Sequence, residues 1–234
     1  MEKIFADFFR DRRPALDRRL PTVPQIYDCL RQMIMQLQLE PGAAISKDDV
    51  AHAFGVSSMP VREAFRKLEE DGLVDIRPQS GTYVAAIDVE LAEAAQFLRI
   101  AIEIEVVKAI CQKAPETAFE ELDQLLRRQR LEFETGNREA FTRIDMAFHA
   151  ALCRLAGVPV LWQRIGEMRV HIDRLRRMYL TVSGEMSRIQ AEHEVILDAI
   201  RARDLERAEA AVRRHLSWTV SAIDKLKKEN PQYF

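Results

Sequence analysis

The chain has 234 residues, 47% of them hydrophobic and 31% charged, with a formal net charge of −2. This composition fits one or two globular domains with ample material for a core, and it carries no global basic signal for a polyanionic partner. No uncharged apolar run approaches the roughly 18 residues of a membrane span, and the N-terminus, with acids at Glu2 and Asp7, lacks a secretory pattern. Cys29, Cys111 and Cys153 are scattered, with no Cys-x-x-Cys pair. They read as reduced thiols of a cytoplasmic protein, neither a disulfide framework nor a zinc ribbon.

Residues 1–21, with Arg10, Arg12, Arg13, Arg18 and Arg19 among Pro14 and Pro21, read as a mobile arm. Thr22 to Leu39 is a helix with Val23, Ile26, Leu30, Ile34 and Leu37 on one face, ended at Glu40-Pro41-Gly42. Ser46 is placed to cap a short helix over 47–54, which Gly55 stops. Ser57 or Ser58 caps a second helix with Pro60 in its first turn, running to about Asp71 before Gly72. Val61, Phe65 and Leu68 form its apolar stripe, with Arg62, Arg66 and Lys67 off it. Two short helices joined by a tight glycine-containing turn make a helix-turn-helix. Leu73–Arg77 and Thr82–Ala85, around the turn Pro78-Gln79-Ser80-Gly81, add a hairpin, so the expected head is a winged helix over 22–86.

Gly55-Val56-Ser57, Pro60-Val61-Arg62-Glu63-Ala64, Leu68-Glu69, Gly72-Leu73-Val74 and Gly81-Thr82-Tyr83-Val84 resemble the DNA-binding domain of the GntR family of bacterial transcription regulators. The resemblance implies binding to double-stranded operator DNA as a homodimer, with Ser57, Ser58, Met59, Arg62, Arg66, Gly81 and Thr82 as candidate DNA contacts. Family members often carry Arg at the positions of Asp48 and Ser58 and Thr at that of Met59, so Arg62 becomes the main candidate for a base or phosphate contact. Up to Ala86 the lysines and arginines do not outnumber the acids, so DNA affinity must rest on local placement. The candidates are the Arg62/Arg66/Lys67 face, Arg77 at the wing and the arginine-rich arm.

Ala85–Asp88 is a short connector without Gly, Ser or Pro. From Val89 the periodicity is helical only, broken at Ala114-Pro115, Gly136-Asn137, Gly157-Val158-Pro159, Ser183-Gly184 and Ala202-Arg203-Asp204. Helices are expected near 89–113, 116–135, 138–156, 159–182, 185–202 and 204–228, with a tail fraying from Lys225. The fold class is mainly α: a winged helix-turn-helix followed, over 87–230, by an antiparallel bundle of six to seven helices.

Asp145 and His149 are four residues apart, and so share one face of a helix whose neighbours Ile144, Phe148 and Leu152 are apolar. His193 and His215 lie on two later helices. Imidazoles with a carboxylate suit zinc, nickel, manganese or iron, while each histidine taken singly also reads as an ordinary core or surface residue. Asp-x-x-x-His, then Glu-His before Val-Ile-Leu, then Arg-His-Leu resembles the metal-binding C-terminal domain of the FadR branch of GntR regulators, the FCD domain. That implies one divalent transition metal per subunit, zinc first with nickel or manganese as alternatives, held by Asp145, His149, His193 and His215. It also implies a ligand-binding and dimerising bundle, and a regulator acting as a repressor.

Arg99, followed by Glu103, reads from spacing as an ion pair or a surface arginine. The resemblance places it in an effector cavity, where a guanidinium would grip a small organic carboxylate. His171 and Arg174 either join that cavity or belong to a solvated helix face. The rival reading is a metal-dependent enzyme using the three histidines and the aspartate. Against it, Leu197 stands where a His-Glu-x-x-His motif needs histidine, and no P-loop, nucleophile elbow or dinucleotide fingerprint is present.

Overall fold

The computed structural model describes residues 16–113, 115–180 and 184–234. The chain divides into two compact units: the residues up to Asp88 together with Lys227–Phe234, and Val89–Leu226.

The first unit contains α1 (Thr22–Met35), β1 (Ala44–Ile45), α2 (Lys47–Phe54), α3 (Ser58–Glu70), β2 (Val74–Arg77) and β3 (Gly81–Val84). α1 buries Ile26, Leu30, Met33 and Ile34. It ends before the expected Leu39 because Leu37 turns left-handed, at φ 56°, and the amides of Gln38 and Leu39 both return to the Met33 carbonyl. Ser46 Oγ accepts from the Asp49 amide at 3.2 Å, which caps α2, and Gly55 ends that helix at φ 65°. The three strands form an antiparallel sheet in the order β1-β3-β2, with Ala44 opposite Tyr83 and Val74 opposite Val84. β1 is only two residues long, too short to carry an alternating pattern, so sequence gave no sign of it. Leu30, Val50, Val61, Phe65, Leu68, Leu73 and Val84 fill the core of this winged helix.

The C-terminal tail does not fray as expected. Leu226 is buried, a single 3₁₀ turn covers Pro231–Tyr233, and the Ile87 amide donates to the Tyr233 carbonyl at 2.7 Å. An apolar anchor and a backbone partner hold what the run of lysines and Pro231 made look like a loose end.

The second unit contains α4 (Val89–Lys113), a 3₁₀ turn (Glu116–Phe119), α5 (Glu120–Glu134), α6 (Arg138–Leu155), α7 (Pro159–Met168), α8 (Val170–Tyr179), α9 (Glu185–Arg201) and α10 (Leu205–Ser221), followed by α11 (Ile223–Glu229), which runs to the tail. The single helix expected over 159–182 is two, broken at Arg169. No proline marks the break. Arg169 turns inward instead, its guanidinium 4.2 Å from the Trp162 ring centroid and 3.0 Å from Asp173. α10 packs along α4, α5 along α6, and α9 against α10. Ile104, Val107, Ile110, Phe148, Leu152, Ile196, Ile200 and Val212 interlock between them. Among the described residues no helix is long and apolar enough to cross a membrane.

Leu152 is fully buried and Leu131 is exposed. Leu152→Ala is therefore expected to lower stability by about 2–5 kcal/mol, and Leu131→Ala to change it by about 0.5 kcal/mol or less. Urea unfolding followed by far-ultraviolet circular dichroism checks both; equal midpoints for the two variants would contradict this core.

Candidate functional site

On the winged helix, α3 begins at the N-cap Ser57 and presents Met59, 63% exposed, with Arg62, Arg66 and Lys67 outward. A helix N-terminus flanked by cations suits a polyanion. Arg66 is tied to Glu70 four residues on, whereas Arg62 has no ion-pair partner among the described residues. Gly81, at φ 129°, sits at the wing tip beside the Tyr83 ring, and Arg77 lies 4.7 Å from that ring's centroid. Thr82 departs from expectation. Its side chain is 9% exposed, because it faces Ile45 and Ile76 across the sheet, so only its backbone can meet DNA. Arg10, Arg12 and Arg13 lie outside the described residues, and Arg19 is paired with Asp17 at 2.9 Å.

In the second unit, α6 supplies Asp145 and His149, α9 supplies His193 and α10 supplies His215. One ligand atom from each lies within 4.8 Å of all the others, and all four residues are buried. His215 Nε2 stands 3.2 Å from His193 Nε2 and 3.3 Å from His149 Nε2. Asp145 Oδ1 is 3.5 Å from His193 Nε2 and has no hydrogen-bond partner among the described residues. Each imidazole is held from behind. His149 Nδ1 faces Glu103 Oε2 at 2.6 Å, His215 Nδ1 faces Glu192 Oε2 at 3.1 Å, and His193 Nδ1 faces Gln129 Oε1 at 2.8 Å.

Carboxylates only accept, so Nδ1 of His149 and of His215 must donate. The Nε2 lone pairs then point at one another. Burial pushes the His149 imidazole down to about 4 and that of His193 well below the ordinary range, so near pH 7 neither of these two carries an extra proton. Burial alone would raise the Asp145 carboxyl, but the Arg176 guanidinium outweighs it and holds Asp145 ionised. Burial is likewise outweighed at Glu103, by Arg99 and His149. Three lone pairs and one carboxylate oxygen around a common point form a divalent-metal donor set. With metal–nitrogen bonds of about 2.1 Å, ligand nitrogens around one ion fall about 3.0–3.4 Å apart, which is the separation of the two pairs that His215 makes. The backing contacts are those that fix tautomer and ring orientation in metal sites.

Beside His215 lies a cavity of about 20 Å³, room for about one water. Arg99, Arg176 and Arg188 line it, with Tyr179 and Thr219. Arg99 is 1% exposed. Its Nε donates to Glu103 Oε1 at 2.6 Å, while its Nη2 has no hydrogen-bond partner among the described residues. Arg99 is thus paired with Glu103, is not a surface arginine, and lines this cavity. His171 and Arg174 are not on a solvated face. Both are buried, His171 Nδ1 is 2.9 Å from Arg174 Nη2, and neither lines the cavity. Gln129, Arg176, Glu192 and Arg188 belong to the site without having been singled out in the sequence. Glu192 adjoins His193 in the chain, but the rest are joined to the site only by folding.

The model for the FCD domain matches residues 91–217, and that for bacterial regulatory proteins of the gntR family matches residues 22–84. The chain is 33% identical over 217 residues to the HTH-type transcriptional repressor RspR of Escherichia coli (strain K12), covering 92% of this chain and 95% of that protein. It is 35% identical over 210 residues to a Streptomyces ambofaciens protein described as an HTH-type transcriptional regulator in an unstable DNA locus, covering 89% and 88%. The fold matches E. coli McbR/YncC with a TM-score of 0.72 at 19% identity, over 88% of this chain and 98% of that one. It matches a GntR regulator of Rhodococcus sp. RHA1 with a TM-score of 0.67 at 23% identity, over 87% and 97%.

A pH dependence follows from His149. Its folded-state value, about 4, lies below the 6.5 of a free imidazole. Between those values the unfolded chain takes up a proton that the folded chain refuses, so metal-free protein should lose stability as pH falls through that window. Urea midpoints of chelator-treated protein at several pH values check this, and His149→Gln should flatten the slope. A wild-type midpoint that rises from pH 6.5 to 5 would contradict the assignment.

Proposed function

This chain belongs to the GntR family of bacterial regulatory proteins and carries an FCD domain, and on that premise we propose that it is a cytoplasmic, homodimeric repressor of the FadR subfamily that leaves its operator when a small organic carboxylate binds beside a metal ion in the bundle. It is a DNA-binding transcription regulator, not an enzyme; its family and relatives give the metalloenzyme reading no support.

The observation that carries the sensing half is the meeting of three imidazole Nε2 atoms with the unpartnered Asp145 Oδ1. Asp145, His149, His193 and His215 hold the ion, zinc first and nickel or manganese as alternatives. Glu103, Gln129 and Glu192 keep the imidazoles in the ligating tautomer. A bound divalent ion supplies open coordination positions that accept a carboxylate or hydroxyl oxygen. Arg99, with its free Nη2, neutralises and orients the acid, and His171, bonded to Arg174, supports the site from outside the cavity. The cavity has room for about one water, so an acid of several heavy atoms enters only if the walls rearrange. Binding therefore favours a different bundle arrangement, which is the condition for a ligand to act at a distance.

On the DNA side, Ser57, Ser58, Met59, Arg62 and Arg66 of α3, with Gly81 and the Thr82 backbone at the wing, contact operator. Two such heads in a homodimer read a near-palindromic site.

Two measurements test this reading. Elemental analysis of protein purified without chelator should give about one transition metal per chain, and the metal should dissociate as pH falls, because the ligands must be deprotonated; a content under about a tenth, with no thermal shift on adding zinc, nickel or manganese, would remove the metal. Gel shifts on the operator should show binding that weakens steeply with salt, with Arg62→Ala costing about 1–3 kcal/mol. Unchanged operator affinity in a folded Arg62→Ala protein would displace Arg62 from the contact surface.

A further inference from the structure

The cavity beside His215 is lined by more than one guanidinium. Three guanidiniums line it, those of Arg99, Arg176 and Arg188, together with the hydroxyl-bearing Tyr179 and Thr219, and among the described residues no acidic side chain does. The carboxylates that pair with these arginines stand behind them: Glu103 behind Arg99, Asp145 behind Arg176, Glu185 and Glu192 behind Arg188. Charges removed from water need partners, and of these guanidiniums that of Arg99 keeps an Nη2 with no hydrogen-bond partner among the described residues.

Arg99 and Arg188 differ in freedom. Arg99 is sealed in, and its Nη2 has no hydrogen-bond partner among the described residues. Arg188 is 21% exposed. Its Nη1 donates to Glu192 Oε2 and its Nη2 to Glu185 Oε2, each at 2.7 Å. Its guanidinium lies 4.6 Å from the Trp218 ring centroid and 6.0 Å from that of Tyr179. An arginine that is partly exposed and rests on aromatic faces can keep its stem in place while its guanidinium exchanges one carboxylate for another.

We propose that the effector is a dianion, most simply a hydroxy dicarboxylic acid, whose inner carboxylate lies at Arg99 and whose outer carboxylate is taken by Arg188. This rests on the acid-sensing reading above and extends it to the ligand's charge. The same residue gives the ligand a handle on the metal ligands. Glu192 Oε2 is shared by Arg188 and His215 Nδ1. When the outer carboxylate draws Arg188 away, Glu192 keeps, among the described residues, its contact with His215 Nδ1 and the Arg214 guanidinium, the latter at 3.6 Å. Occupancy of the outer position is thereby felt at α10.

The test compares two probes on zinc-loaded, full-length protein by titration calorimetry. Malate and 2-hydroxybutyrate share a hydroxy-acid head and a four-carbon chain, and differ only in a carboxylate or a methyl at the far end. Malate is expected to bind about tenfold or more tightly. In Arg188→Ala and Arg188→Gln that advantage should shrink to about twofold, with 2-hydroxybutyrate nearly unchanged. Zinc content and circular dichroism confirm that each variant is folded and loaded. Equal binding of the two acids by wild type, or an undiminished advantage for malate in both variants, overturns the dianion assignment while leaving acid sensing in place. Failure of both acids, and of acetate, to bind zinc-loaded wild type overturns the acid-sensing reading itself.

Discussion

The bundle depends on one constraint: three buried imidazoles whose inner nitrogens face each other and whose outer nitrogens are already committed. Glu103 and Glu192 accept from His149 and His215, and Gln129 accepts from His193. This fixes the tautomers and leaves lone pairs about 3.2–3.3 Å apart. Burial keeps protons off His149 and His193. A meeting of acceptors in a low-dielectric interior is unfavourable unless a cation joins them. Every long helix of the bundle contributes: α4 gives Glu103, α5 Gln129, α6 Asp145 and His149, α9 Glu192 and His193, and α10 His215. The packing of these helices is therefore also the construction of the ligand set.

The charges around that set are too many to be explained by stability. Arg99 with Glu103 and Arg176 with Asp145 are ion pairs taken almost wholly out of water. Buried pairs of this kind often add nothing over apolar residues of the same volume. A core built for stability alone could have continued the Ile104, Phe148, Leu152 and Ile196 packing through this region. What the charges provide is position. Each arginine is held by a carboxylate on one side and presents donors on the other, and each carboxylate is kept ionised by a neighbour. Trp162 extends the arrangement, stacking on His149 and carrying Arg169 on its ring.

How much of this could be read from sequence depended on distance along the chain. Asp145 and His149 on one apolar helix face were legible, because four residues is one helical turn. So were the caps and stops at Ser46, Gly55 and Gly72, where local chemistry decides the backbone. The closing of His193 and His215 onto that face was not a matter of spacing; it came from resemblance to a family pattern. Gln129, Arg176 and Arg188 gave no signal, since a single glutamine or arginine on an amphipathic helix is ordinary until a neighbouring helix brings a partner. The break at Arg169 was hidden for a related reason. No proline or glycine stands at the residue, and its contacts with Trp162 and Asp173 show only in the folded chain. β1 was too short to alternate, and the tail looked loose because the Tyr233 carbonyl meets its partner, the Ile87 amide, only in the folded chain.

The winged helix raises a separate question, since its composition is not basic and it must still bind a polyanion. The structure sharpens the problem before resolving it. Arg66 is committed to Glu70, Arg19 to Asp17, and Arg77 lies on Tyr83 near Asp75. Arginines already paired with surface carboxylates lose part of their value as counterions for phosphate, because the acid repels the same backbone the arginine attracts. Arg62 is different: it is exposed on the first turns of α3 and carries no such partner. A head of this design offers non-selective DNA few cations that are not already paired with acids. Weak non-selective binding lowers competition from the rest of the genome. A regulator that must let go on a modest ligand signal gains from that balance, since a coupling of a few kcal/mol can then move it from bound to free.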